Sequence, residues 1–168
     1  MNDPSEVAPD FIEMAHRIVC CTAASIGRDN RPRSRILHPL WAFDDGSITG
    51  WTMTEPTSLK RAHFKHSPAL SLTYWTPKHD HCIAECATRW LTDVADREAT
   101  WERFKHPVAP VGFNPVIIPA WADSPRSERF GVIQLRPWRL RVFPAAAFTH
   151  GDTGAVLTWQ DSTKGPSR

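Results

Sequence analysis

Three β-compatible runs follow one another between residues 19 and 53, separated only by turn-forming residues, and this succession most restricts the architectures open to the chain. Val19 to Ile26 is an apolar run closed by Gly27-Arg28-Asp29-Asn30, and Arg33 to Phe43 follows as a partner strand. Asp45-Gly46, the strongest turn dipeptide in the sequence, hands over to Ser47–Met53, which is rich in Ile, Thr and Trp. The reading is an antiparallel meander of three strands. Ahead of it, Phe11, Ile12, Met14, Ala15 and Ile18 recur at helical spacing and predict a short amphipathic packing helix over residues 9–18.

Beyond the meander the period becomes helical over Ser58 to His66, with Leu59, Ala62 and His63 on one face and Pro68 marking the end. A strand is predicted over 69–75, and Thr76-Pro77-Lys78 breaks it. A long strand over 82–94 and an acidic-to-basic helix over 96–105 come next. Pro107, Pro110, Pro115, Pro119 and Pro125 predict an irregular covering loop over 107–128, after which Phe130 to Phe143 returns to strand with Pro137 as an interruption. From Gly151 the chain is polar except for Ala155–Trp159, a candidate last strand. Many short strands with few helices point to a mainly β fold with minor helices, an antiparallel barrel closed or nearly closed, because closure removes exposed sheet edges; an open sandwich is the alternative. A chain of 168 residues suits one domain, expected over residues 1–150 with the short leading helix, followed by a C-terminal tail over 151–168.

The formal net charge of +2 produces too weak a field to make nucleic acid or an anionic membrane a default partner. The first residues lack the basic and apolar regions of a signal peptide, and no apolar run approaches the ~18 residues of a membrane helix, so a soluble, cytoplasmic protein is expected. Cys20, Cys21, Cys82 and Cys86 sit in apolar or alternating stretches that suit reduced, buried thiols, with Cys20 and Cys21 on opposite sheet faces.

The basic residues matter locally. Arg33 and Arg35 lie two apart on a predicted strand, so both leave one face and can converge on one phosphate; the bland reading is a solvated hairpin edge. Ser58 is placed to cap the following helix, whose first turn carries Lys60 and Arg61. Cations there oppose the helix dipole unless an anion lies between them and the helix end, which favours a bound phosphate. His79, His81, Cys82 and Cys86 resemble zinc ligands in type, but on a strand the histidines take one face and the cysteines the other, so no metal site is expected. The Gly-x-Ser-x-Gly elbow, the Gly-x-Gly-x-x-Gly fingerprint and the P-loop are all absent. Of eight tryptophans, Trp41, Trp75 and Trp101 read as core or interface anchors, whereas Trp51 and Trp121 are candidates for stacking on an aromatic ring system.

The ordered set Arg33-Ser34-Arg35-Ile36-Leu37, Asp45-Gly46, Trp51-Thr52, Ser58-Leu59-Lys60-Arg61-Ala62 and Ser67-Pro68-Ala69-Leu70-Ser71-Leu72 resembles the pyridoxamine 5′-phosphate oxidase-like, FMN-binding split-barrel superfamily over residues 17–145. The resemblance implies a homodimer of antiparallel split β-barrels with FMN in clefts between the subunits. Arg35 and Lys60 would hold the FMN phosphate, assisted by Ser58, with Arg33 and Arg61 as further cations. Ile36, Leu37 and His38 would run beside the isoalloxazine ring, Trp51 and Thr52 would flank it, His81 would come from the partner subunit, and Trp121 would close the pocket. Leu59 and Leu40 stand where the vitamin-salvage members carry basic residues, and their Arg-x-His substrate motif is absent between Phe130 and Arg168. The resemblance is therefore to general-stress and flavin reductase-like members, and it implies an FMN-dependent oxidoreductase acting on a small molecule. The runner-up is a deazaflavin-dependent reductase of the same fold, whose longer acidic cofactor tail would use Arg28, Arg31, Arg33 and Arg61. A non-catalytic flavin or haem binder is a third reading, with His38, His63 and His66 as candidate axial ligands.

Overall fold

The computed structural model describes residues 3–121 and 124–161. Its first element is α1 (Pro4–Ile18), which begins five residues ahead of the apolar repeat because Asp3 caps it, accepting a hydrogen bond from the Ser5 amide at 2.8 Å. Pro9 lies inside this helix without ending it. Val7, Ala8, Phe11, Met14 and Ala15 turn inward and fill the barrel.

The expected three-strand meander is wrong in one respect that decides the topology. The Arg33–Phe43 run is two strands, β2 (Pro32–Leu37) and β3 (Pro39–Asp44), parted at His38. Strand β2 pairs with β1 (Cys21–Ile26), whereas β3 pairs with β4 (Ser47–Thr54). With β5 (Ala69–Trp75), β6 (His81–Leu91) and β7 (Gly131–Phe143), the sheet order is β2-β1-β5-β6-β7-β4-β3. Its two ends are thus consecutive in the chain, joined by one residue. The sheet has to curl until they meet, so the result is an antiparallel barrel and not a sandwich. β8 (Leu157–Gln160) adds to β7.

Helix α2 (Ser58–His66) bridges the β4 and β5 strands, α3 (Val94–Lys105) starts two residues earlier than its acidic run suggests while β6 ends at Leu91, and α4 (Ala145–Thr149) is a turn the sequence reading omitted. Pro137 marks a bulge: Glu85 pairs with Arg139 and Cys86 with Pro137, leaving Trp138 over. The bulge switches the inward parity of β7 from Ile133 and Leu135 to Leu140 and Val142.

Two cores result. Inside the barrel, Phe11 meets the Trp41 ring edge-on at 5.1 Å, and Trp41 Nε1–H donates to the Tyr74 hydroxyl at 2.8 Å. Outside it, Leu40, Trp51, Met53 and Val132 pack under Trp101 and Phe104 of α3 and under Val111, Phe113, Ile118 and Trp121, so the described part of the proline-rich segment covers them as expected. Cys21, Cys82 and Cys86 are buried, but Cys20 is exposed. Among the described residues no helix is long and apolar enough to cross a membrane.

Candidate cofactor site

Strand alternation sends Arg35 to the barrel side of β2, opposite Ala23. There Arg35 Nη2 donates to Ser25 Oγ at 2.8 Å, while Nη1 is buried with no hydrogen-bond partner. Lys60, in the first turn of α2, donates from Nζ to Thr54 Oγ1 at 2.6 Å and to the Glu55 carbonyl at 3.0 Å. Partial burial lowers the affinity of both side chains for their protons, and the Arg35 charge lowers that of Lys60 further, against a smaller opposing effect of Glu55. The Glu55 carboxylate itself is drawn off to Arg129, with Oε1 at 3.0 Å from Nε. Two half-buried cations stand together with the nearest acid engaged elsewhere, an arrangement that an anion would complete.

Thr54 and Glu55 also line an adjoining cavity of about 310 Å³. One wall is Ile36, Leu37 and His38 at the β2–β3 break; the other is Phe113, Ile118 and Trp121 of the covering segment. His38 Nε2–H donates to the Val111 carbonyl at 2.8 Å, and burial lowers the pKa of the ring, partly offset by that carbonyl. Trp121 Nε1–H donates to the Arg129 carbonyl at 3.1 Å, which fixes the indole in the wall. The cavity is mostly apolar and adjoins the cation pair through Thr54 and Glu55, which line it and accept from Lys60, a distribution suited to an apolar ring body with an anionic tail.

Of the residues singled out in the sequence, Arg35 and Lys60 share the cation pair, and Ile36, Leu37, His38 and Trp121 share the cavity. The others lie elsewhere. Arg33 is bound to Asp29 at 2.8 Å, and Arg61 donates to the Pro56 carbonyl and lies over Trp90. Ser58 is exposed and does not cap α2; the Thr57 hydroxyl does, accepting from the Lys60 amide at 3.3 Å. Trp51 is buried in the outer core with the Arg103 guanidinium 4.0 Å above its ring, and the Thr52 side chain is buried in the barrel. His81 stacks on Phe143 at 4.4 Å, beside a separate cavity formed with Trp75 and Phe148. Leu59, expected on the packed face of α2, is exposed; His63 and Phe64 take that face. Ser25, Thr54 and Glu55, which orient the cations, carry no local sequence signal, because only the sheet register brings them there.

No protein-family profile matches the sequence, and no curated protein matches it. Solved structures do match in shape. A protein related to general stress protein 26, of the pyridoxinephosphate oxidase family, from Clostridium acetobutylicum superposes with a TM-score of 0.64 at 11% identity, covering 90% of this chain and 94% of the other. A pyridoxamine 5′-phosphate oxidase-related, FMN-binding protein from Nostoc punctiforme gives 0.60 at 12% identity, covering 95% and 97%. An F420 reductase gives 0.52 at 14% identity, covering 77% and 94%.

Proposed function

From the split-barrel fold that the chain shares with pyridoxamine 5′-phosphate oxidase-like proteins, we infer that it binds FMN and works as a flavin-dependent oxidoreductase on a small molecule. The observation that carries this reading is the buried, unpartnered Nη1 of Arg35, whose charge acts on Lys60, together with an adjoining cavity lined by the Thr54 and Glu55 that Lys60 binds. A phosphate accepting from Nη1 and lying near Lys60 Nζ would satisfy an orphaned donor and relieve the repulsion between two cations. FMN, once bound, supplies hydride or electron transfer at its ring. The chain's own residues bind and orient: Arg35 and Lys60 anchor the phosphate, Ile36, Leu37 and His38 form one side of the ring slot, and Phe113, Ile118 and Trp121 shield it from water. No acid or base from the chain is required.

The longer acidic tail of a deazaflavin would ask for cations beyond the phosphate pair; of Arg28, Arg31, Arg33 and Arg61, Arg31 and Arg33 pair with Asp29 and Arg61 is held by the Pro56 carbonyl over Trp90, which leaves Arg28 for such a tail. The protein is further proposed to be a homodimer with the cofactor near the subunit interface. This rests on the outward face of β1, β2, β5 and β6, where Ile36 and Trp75 remain largely exposed, and on His81, which lies away from its own chain's cation pair.

The test is the absorbance spectrum of the purified protein, with heat release and mass identification of the cofactor, repeated for Arg35→Ala and Lys60→Ala. FMN in the wild type and a loss of at least about tenfold in affinity for each variant is expected, since each removes a charged hydrogen bond. Unchanged FMN affinity in both variants would overturn the phosphate site. Refusal of FMN with uptake of a deazaflavin would move the function to the runner-up.

A further inference from the structure

Two polar side chains are buried where apolar ones would otherwise pack. Ser25 is wholly buried on the barrel side of β1, in line with Cys21 and Ala23, and His63 is 4% exposed on the inward face of α2 beside Phe64. A buried hydroxyl and a buried imidazole are tolerated when they are hydrogen-bonded, and these two face each other, with Ser25 Oγ 3.5 Å from His63 Nδ1. The same Oγ accepts from Arg35 Nη2 at 2.8 Å. A serine has one hydrogen to donate. Because Arg35 supplies a hydrogen on one side, the hydroxyl is free to turn its own hydrogen to His63 Nδ1. The opposite ring edge packs toward the β1–β2 turn, where a Cβ on Gly27 would stand 3.5 Å from Nε2.

The contacts therefore link Arg35 through Ser25 to His63, on the helix that also carries Lys60 one turn earlier. A guanidinium is a rigid planar fork, so fixing Nη2 fixes the direction of Nη1, the arm left without a partner. We propose that His63 is a positioning residue of the anion site: acting through Ser25, it holds the Arg35 guanidinium so that Nη1 is presented to the phosphate, at a spacing from Lys60 that α2 sets. This rests on the phosphate reading given above. His63 itself does not touch the ligand.

The experiment compares His63→Leu, His63→Asn and Ser25→Ala with the wild type, using two kinds of probe. The first is the ratio of FMN to riboflavin affinity, read by flavin fluorescence, since the two ligands differ by the phosphate alone. The second is thermal stabilisation by inorganic phosphate, compared with chloride at equal ionic strength. His63→Leu is expected to lower the FMN preference about tenfold while leaving riboflavin affinity within about twofold, the size of effect of one misdirected charged hydrogen bond. Ser25→Ala should behave alike from the other end of the series. His63→Asn, whose Oδ1 can stand where Nδ1 stands, should keep most of the preference. An unchanged preference in His63→Leu and Ser25→Ala, or an equal loss for both flavins, would overturn the proposal and leave His63 a packing residue. If the wild type binds neither flavin, the FMN reading falls and the phosphate arm decides alone. Stabilisation by phosphate that is lost in His63→Leu and kept in His63→Asn upholds the positioning role, and stabilisation absent from the wild type or retained in His63→Leu overturns it.

Discussion

Tyr74 shows how single buried polar groups hold this barrel in one arrangement. It is the chain's one tyrosine, is wholly buried, and accepts the Trp41 indole N–H, so its hydroxyl satisfies a donor that water cannot reach. Tyr74→Phe leaves that indole N–H buried without an acceptor and should cost about 1–3 kcal/mol, read as a lower urea midpoint with unchanged slope. Burial also pushes the phenol well above its ordinary pKa of 10.0, and pushes the Cys21 thiol from 9.0 up to about 12. Both folded-state values are raised, so the stability these groups contribute is fully present below the unfolded-state values. It is lost as pH rises above about 9 for the thiol and about 10 for the phenol. In an alkaline titration the phenolate absorbance should therefore appear together with loss of the folded circular dichroism signal. Phenolate forming near pH 10 in a still-folded protein would contradict this.

At the scale of elements, the β3–β4 hairpin depends on a close approach that one glycine permits. Gly50 is the cross-strand partner of Trp41, and a Cβ placed on it would stand 2.6 Å from the indole ring. The ring cannot move aside, because Phe11 meets it from α1 and Tyr74 holds its nitrogen. Gly50→Ala should therefore destabilise by about 1–3 kcal/mol, although alanine suits a strand better than glycine elsewhere, and a thermal melt would show the lowered midpoint. The elements themselves were largely legible: Ser58 to His66 and Ala69 to Trp75 fall where periodicity and Pro68 put them. The division of Arg33–Phe43 at His38 was not, because the segment alternates acceptably as one strand. Only pairing with β1 on one side and β4 on the other, across the whole sheet, separates its halves. The site divides in the same way. Arg35 and Lys60 are conspicuous as cations on a strand and at a helix start. Ser25 and Thr54 are ordinary residues in the sequence, where His63 stands out only as a packed helix position and a candidate haem ligand, and all three acquire these contacts through register and packing.

For the whole molecule, the outward side of the barrel presents a surface that a monomer has little reason to expose. The register sets Trp75, His81 and Phe143 side by side, and beside them Ile36, Thr22, Thr73, Ile83 and Arg141 in a second row. Trp75 is 57% exposed and Ile36 67%, while their inward neighbours Tyr74 and Leu37 are buried. Two large apolar side chains left exposed on one mixed sheet face favour an interaction there, and two copies related by a two-fold axis would bury them against each other. Ile36 belongs both to this face and to the cofactor cavity, so closing the one would help enclose the other. Trp75→Glu places a charge in such an interface with no partner to accept it, and should convert a dimer to a monomer by light scattering during size-exclusion chromatography. Because Trp75 lies outside its own chain's cavity, a monomeric variant that also loses FMN would mean that the second subunit completes the site. A monomer that retains FMN would mean that each barrel binds alone. A wild type already monomeric at micromolar concentration would overturn the dimer and assign the exposed row to a different partner.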